Sequence, residues 1–182
     1  MSYELSGEIV LAIYPSTRGV AFALMKSPLA AIDWGIKGAY GADKNALLLR
    51  RVAGLLEANQ PDVVVLEDPT SARLRRSARI ARLTRAIERL AEDEVVEVHR
   101  YSREAVQLCF GQFGARTRYE VAVAIATRVA AFERFLPPPR KLWMSEDARM
   151  GIFRAAALAL TYYDLREKAR VTNVALDPLS PG

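Results

Sequence analysis

The sequence predicts a single α/β domain built on a mixed five-stranded sheet with helices on its faces. Three apolar, β-branched runs with short spacers open the chain, a pattern typical of antiparallel hairpin strands. Two further apolar runs alternate with helical segments, so we expect them to join the sheet through helical connections. The 182 residues, 51% of them hydrophobic, suffice for one domain with a substantial core.

Five short apolar runs supply the predicted strands. The turn between the first two runs contains Pro15 and Gly19, which favour a compact reversal of the chain. The fourth run, Val-Val-Val-Leu, shows no polar alternation, so we expect a parallel, central strand buried on both faces. The predicted strands cover residues 8–14, 20–25, 31–37, 63–66 and 95–98.

Five helices are predicted from capping residues and apolar periodicity. Asp43 and Ser102 are the expected N-caps of the first and third helices, and the prolines at 137–139 end the fourth. We place the domain at residues 1–170 and expect residues 171–182 to form a loose tail. The predicted helices cover residues 44–59, 71–91, 103–110, 118–135 and 145–169.

The scarcity of histidine and cysteine excludes several kinds of site. The chain has one cysteine, Cys109, and one histidine, His99, so it can form neither an internal disulfide nor a Cys/His zinc cage. A histidine-dependent nucleophilic site would have to use His99. Any metal site must therefore rest on carboxylates, which suit Mg²⁺ or Mn²⁺.

The sequence carries no signal for export or for membrane insertion. No apolar run reaches the roughly 18–20 residues that span a bilayer. The first residues lack a basic region followed by an apolar stretch. We expect a soluble, cytoplasmic protein.

Positive charge is concentrated on the second predicted helix. The net charge is +5, and residues 73–89 carry seven arginines with Glu88 as the only acidic residue. A solvated helix face usually mixes in more glutamate, so we favour phosphate binding over a merely exposed surface. Two arginines at 116 and 118 extend the predicted nucleic-acid-binding patch. Its members are Arg73, Arg75, Arg76, Arg79, Arg82, Arg85, Arg89, Arg116 and Arg118.

Three segments resemble motifs of the RuvC-type Holliday-junction endonucleases, a branch of the ribonuclease H-like superfamily. Residues 11–19, LAIYPSTRG, resemble the first-strand motif Gly-Ile-Asp-Pro-Gly-Ser-Arg. Residues 61–67, PDVVVLE, resemble the fourth strand with its terminal glutamate. Residues 151–161, GIFRAAALALT, resemble the last-helix motif Asp-Ala-Ala-Asp-Ala-Leu-Ala-Ile-Ala-Leu-Thr. The resemblance spans roughly residues 8–165 and implies a ribonuclease H-like fold.

The resemblance also implies a catalytic site that this chain has partly lost. The family cuts DNA with two metal ions about 4 Å apart, held by carboxylates from the first strand, the fourth strand and the last helix. Glu67 matches the fourth-strand glutamate. Tyr14 stands at the first-strand aspartate position, and Gly151 and Arg154 stand at the last-helix aspartate positions. Arginine cannot ligate a cation, so Arg154 is expected to pair with Glu67 and fill the space of the metal ions.

Three functions follow from these observations. The first is a nucleic-acid-binding protein, with DNA as the expected partner, whose nuclease site is degenerate. The second is an active Mg²⁺- or Mn²⁺-dependent, structure-selective DNA endonuclease that uses Glu67, Asp147 and Asp68, with Glu67 and Asp147 as metal ligands. The third is a scaffold or assembly protein without a nucleic-acid partner. Resolvases of this type act as dimers, so the resemblance implies a homodimer.

Overall fold

Five strands form one mixed sheet in a computed structural model that describes residues 7–70 and 78–175. The sheet has the order β3-β2-β1-β4-β5, and the pairs β1–β4 and β4–β5 are parallel. The predicted mixed α/β sheet is thus confirmed, with the apolar run at 63–66 in a buried, parallel position. The strands are β1 (Val10–Ser16), β2 (Gly19–Ser27), β3 (Ala30–Lys37), β4 (Val63–Glu67) and β5 (Glu97–Tyr101).

Helices cover both faces of this sheet. Alternate residues of β1 and β4 point to opposite faces, which divides the core into two layers. The described helices are α1 (Lys44–Asn59), α2 (Ala78–Asp93), α3 (Arg103–Gly111), α4 (Arg118–Arg128), a 3₁₀ helix (Ala130–Phe135) and α5 (Met150–Ala175). The first two helices pack on one face, and α3, α4, the 3₁₀ helix and α5 pack on the other.

Several element boundaries differ from the prediction for local reasons. The fifth strand begins at Glu97, because residues 94–96 terminate α2 with Val95 in a left-handed conformation at φ 59°. The fourth helix ends at Arg128, because Val129 adopts an extended conformation, and the chain continues as the 3₁₀ helix. Asp43 precedes α1 but makes no side-chain capping bond.

The last helix begins at Met150, not at residue 145. The Asp147 carboxylate accepts hydrogen bonds from the backbone and side chain of Arg149, a local turn that competes with helical geometry. Glu146 and Asp147 therefore precede the helix, which runs on to Ala175. The domain boundary at residue 170 stays a prediction. Within the described ranges, no helix is both long and apolar enough to cross a membrane.

Candidate nucleic-acid interface

Tyr14 and Glu67 lie side by side at the carboxyl end of the central strands. The parallel register pairs Ile13 with Leu66, the residues that immediately precede them. Alternation along each strand places Tyr14 and Glu67 on the face covered by α5, together with Ala12 and Val65. The sheet therefore brings together two of the positions at which the motif resemblance places the nuclease site.

Both residues line a cavity of about 270 Å³, here called the inner cavity. Glu67 is 6% exposed. The cavity takes one arginine from the first residue of α3, one from the first residue of α4, one from α5 and one from the loop before α4. Its polar and charged lining residues are Tyr14, Glu67, Arg103, Gln107, Arg116, Thr117, Arg118 and Arg154. Among the described residues, four arginines and one carboxylate therefore line this cavity.

Arg154 is held at the centre of this arrangement by two partners. Its guanidinium donates one hydrogen bond to the Tyr14 hydroxyl and lies 5.0 Å from the centre of that ring. The other amino group contacts both carboxylate oxygens of Glu146, at 3.0 and 3.2 Å. The ion pair that the structure gives to Arg154 is therefore with Glu146, whereas the sequence interpretation paired it with Glu67. A cation thus occupies the motif position at which the family has an aspartate.

Arg118 adds a second guanidinium close to Arg154. Its Nη1 atom lies 3.9 Å from a carboxylate oxygen of Glu146. Burial lowers the pKa of Arg118, and the positive charges of Arg154 and Arg103 lower it further. The guanidiniums of Arg103, Arg118 and Arg154 therefore repel one another near the first residues of α3 and α4. An anion bound between them would relieve that repulsion.

The two other predicted carboxylates are engaged in local contacts. The Asp147 carboxylate binds the Arg149 side chain through two hydrogen bonds, of 3.0 and 2.7 Å, and the bonds from Arg149 lower the pKa of Asp147. Asp68 accepts hydrogen bonds from the hydroxyl and the backbone of Thr70, which lower the pKa of its carboxyl. Neither residue lines the inner cavity with Glu67.

The lining of the inner cavity does not fit a divalent cation. Among residues 7–70 and 78–175, no group of three or more carboxylate, histidine or cysteine side chains could hold a metal ion. Glu67 is the only carboxylate among the described residues that line the inner cavity, and the guanidiniums beside it repel cations. Asp147 does not share the inner cavity with Glu67, and a Mg²⁺ or Mn²⁺ site built from these two residues stays a prediction.

Gly151 lets α5 approach the sheet closely. A Cβ atom at this position would lie 3.0 Å from the Cβ of Ala21, which is paired with Tyr14 across the β1–β2 ladder. Any larger side chain requires the helix or the strand to shift. The close packing of α5 against β2 therefore favours glycine at this position.

Gly151→Asp is expected to lower the free energy of unfolding by about 1–3 kcal/mol, because it overpacks the contact with β2. Urea denaturation measures the change. Gly54→Asp is the matched control, because a Cβ at Gly54 on α1 has open space around it. We expect the control to stay within about 0.5 kcal/mol of the native protein. Equal stabilities of the two variants would show that Gly151 imposes no packing constraint.

A second cleft joins the inner cavity to the start of α2. This outer cleft has a volume of about 410 Å³ and shares Tyr14, Arg103, Arg118 and Arg154 with the inner cavity. It extends to Arg18 on the β1–β2 turn and to Ile80 on α2. The outer cleft therefore extends the arginine-lined region from the inner cavity to the β1–β2 turn and the start of α2, and Glu146 and Asp147 also line it.

The structure describes only part of the predicted arginine face of α2. Arg82, Arg85 and Arg89 are exposed and make no ion pair within the described ranges. Arg79 instead donates to the Asn45 side chain and the Ser16 carbonyl, which ties α2 to α1 and β1. Three members of the predicted patch, Arg73, Arg75 and Arg76, lie outside the described residues.

Two site residues escaped the sequence analysis, namely Arg103 and Glu146 as the partner of Arg154. Arg103 could have been predicted from its position, because it directly follows the N-cap Ser102 and lies just beyond the end of β5. The carboxyl ends of parallel strands meet at one edge of a sheet, so a charge that follows β5 lies near those that follow β4. No local pattern pointed to the Glu146–Arg154 pair.

Comparisons with known proteins identify the fold of this chain but not its site. No protein-family model matches the chain, and no curated protein is similar to it in sequence. Solved structures do match. Thermus thermophilus RuvC superposes with a TM-score of 0.64 at 18% identity, covering 88% of this chain and 96% of that one. The yeast mitochondrial Holliday junction resolvase gives a TM-score of 0.68 at 12% identity, covering 91% and 81%.

A viral protein has the same architecture. The fowlpox virus Holliday junction resolvase matches with a TM-score of 0.52 at 14% identity, over 87% of this chain and 99% of that one. The chain therefore has the RuvC-like ribonuclease H fold, as the three motifs predicted. Identities this low establish the fold alone, so the function must be argued from the site.

Proposed function

We propose that this protein binds DNA through the basic region formed by the inner cavity, the outer cleft and the exposed face of α2. The observation that carries this proposal is the inner cavity, which four arginines and one carboxylate line among the described residues. Arginine binds phosphate oxygens through paired N–H donors and keeps its charge at all physiological pH values. The solved relatives include Thermus thermophilus RuvC in complex with a Holliday junction substrate, which makes a junction a reasonable first probe.

We propose further that cleavage by the two-metal route is impaired. The last-helix position that would bind a cation carries Arg154, which is bonded to Tyr14 and Glu146. Binding would then rest mainly on phosphate contacts, which position a protein on DNA without reading its sequence. Weak sequence preference is the expected consequence.

The second candidate is the active Mg²⁺- or Mn²⁺-dependent endonuclease, which the solved resolvase relatives favour. It would need Glu67, Asp147 and Asp68 to converge on the metal ions. The hydrogen bonds that hold Asp147 to Arg149 and Asp68 to Thr70 would first have to break. The inner-cavity arginines would also have to tolerate the added cations.

The scaffold alternative makes a different demand on α2. It expects the arginines, including the exposed Arg82, Arg85 and Arg89, to pair with acidic groups of a partner protein. The homodimer implied by the resemblance stays a prediction, and so does a cytoplasmic location. Sedimentation of the purified protein would test the homodimer.

Electrophoretic mobility shifts with a four-way junction, a duplex and a single strand test the proposed function. We expect binding at low salt that weakens steeply as salt rises, because each phosphate contact releases counterions. Replacing Arg82, Arg85 and Arg89 with glutamine is expected to flatten the salt slope by about 1 unit for each arginine that binds a phosphate in the native protein. The affinity should fall by a similar factor on different sequences.

The matched control replaces three exposed cations of the opposite helical layer, Arg128, Arg134 and Arg170. It removes the same charge and is expected to leave the slope within about 1 unit of the native value. Equal effects of the two triple variants would show that α2 has no special role. Failure to bind any of the three nucleic acids at low salt would contradict the proposed function.

A further inference from the structure

We infer that the inner cavity binds the phosphomonoester group of a nucleotide. The nucleotide would be either the terminal residue of a nucleic-acid strand or a free nucleoside monophosphate. This inference rests on the proposed DNA-binding function and names the chemical group that the cavity takes. The family's catalytic site acts on a continuous strand, whereas the cavity described here favours a strand end.

The net charge of the inner cavity exceeds that of an internal phosphate. Among the described residues, four arginines and Glu67 line it and Glu146 pairs with Arg154, so one positive charge remains when a single phosphodiester, with one negative charge, is bound. A phosphomonoester carries a charge of about −1.5 to −2 near pH 7 and has three terminal acceptor oxygens. It therefore balances the site better than a phosphodiester does.

The guanidinium of Arg103 supplies the geometric observation. Its Nη2 atom is buried and has no hydrogen-bond partner within the described ranges. Buried donors in proteins are nearly always satisfied, so a ligand oxygen is the natural acceptor at this position. Arg118 and Arg154 lie close enough to shape one electrostatic site with Arg103, and their mutual repulsion is relieved by the same anion.

The N-termini of α3 and α4 also support an anion site in the inner cavity. Arg103 and Arg118 are the first residues of α3 and α4, so the positive ends of two helix dipoles border the cavity. The side chains of Ser102 and Thr117 cap these helices, and they thereby fix Arg103 and Arg118 as the first helical residues. The backbone thus adds to the arginine charge at the place where the phosphate is proposed to bind.

Much of the remaining wall of the inner cavity is apolar. Val106, Val121, Phe153 and Leu158 are among its apolar lining residues. A volume of about 270 Å³ lies just below the roughly 300–1,000 Å³ of small-ligand pockets, so the cavity suits one nucleoside and not a length of strand. A base or sugar against this wall and a phosphate among the arginines would fill both parts.

Fluorescence anisotropy with short labelled single strands of one sequence tests the inference. One pair of strands differs only in a 5′-phosphate or a 5′-hydroxyl, and a second pair differs in the same way at the 3′ end. A separate arm measures binding of thymidine monophosphate and of thymidine by equilibrium dialysis. We expect a phosphorylated end to bind about tenfold tighter than the hydroxyl end, as an added charge-assisted contact would give.

Variants assign any preference to the cavity. Arg103→Gln is expected to abolish the difference between phosphate and hydroxyl ends, and Arg134→Gln, which removes an exposed arginine of the 3₁₀ helix, is expected to retain it. Binding of thymidine monophosphate without discrimination between strand ends would support a free nucleotide as the ligand. Equal affinity for all strand ends, with no binding of thymidine monophosphate, would overturn the inference and leave the proposed DNA binding intact. Absence of binding to every strand, together with binding of thymidine monophosphate, would contradict the proposed function alone.

Discussion

Replacing both Arg103 and Arg118 with glutamine is expected to weaken junction binding by about 100-fold at low salt. Hydrogen bonds to charged groups contribute about 1.5–3 kcal/mol each, and about 2.8 kcal/mol corresponds to a factor of 100. Both residues line the inner cavity and the outer cleft, so the double substitution removes charge from the centre of the basic region. Fluorescence anisotropy over a salt series would measure the affinity and its slope.

The same double substitution should leave the fold intact. Arg118 is disfavoured in its charged form by burial and by the nearby guanidiniums, so its removal relieves repulsion. Thermal unfolding of the double variant is therefore expected to match or exceed that of the native protein. The control replaces Arg134 and Arg170, which are exposed and lie outside both lining sets. A double variant that binds as tightly as this control would show that the cavity arginines do not contact DNA.

Glu67→Gln is expected to tighten DNA binding by about tenfold. Its buried carboxylate lies among the arginines and repels an incoming phosphate, an effect on the order of 1–2 kcal/mol at such short range. Glutamine keeps the size of the side chain and removes the charge. Asp68→Asn is the matched control, because Asp68 is the next residue in the chain but its carboxylate is held by Thr70 outside the cavity.

The β1 and β4 motifs predicted that Tyr14 and Glu67 lie in one site, because side chains alternate strictly between the two faces of a strand. Apolar runs with a parallel register place the residues that end β1 and β4 side by side, so Tyr14 and Glu67 meet as the motifs required. Arg154 lies on α5, and the last-helix motif, not strand periodicity, predicted it as a cation within the site. The fold class follows from this regularity and from the short connections between the elements.

The remaining contacts depend on local competition and on distant parts of the chain. Asp147 was expected within a helix, but its short side chain bonds to Arg149 and delays the helix to Met150. Because the helix begins only at Met150, Glu146 lies outside it. There its carboxylate accepts a hydrogen bond from Arg154, which is eight residues further along the chain. Arg103 reaches the cavity only because β5 lies beside β4 in the sheet. No short sequence pattern predicts contacts between residues that the fold brings together from distant parts of the chain.

The most direct test of the arginine site compares the native protein with Glu67→Gln on a four-way junction, with and without Mn²⁺, and follows binding and cleavage together. If arginines have replaced the metal site, the variant binds more tightly than the native protein, and neither protein cuts the junction when Mn²⁺ is added. Cleavage by the native protein that depends on Mn²⁺ and is lost in Glu67→Gln, with no gain in affinity, would contradict the proposal and establish Glu67 as a metal ligand.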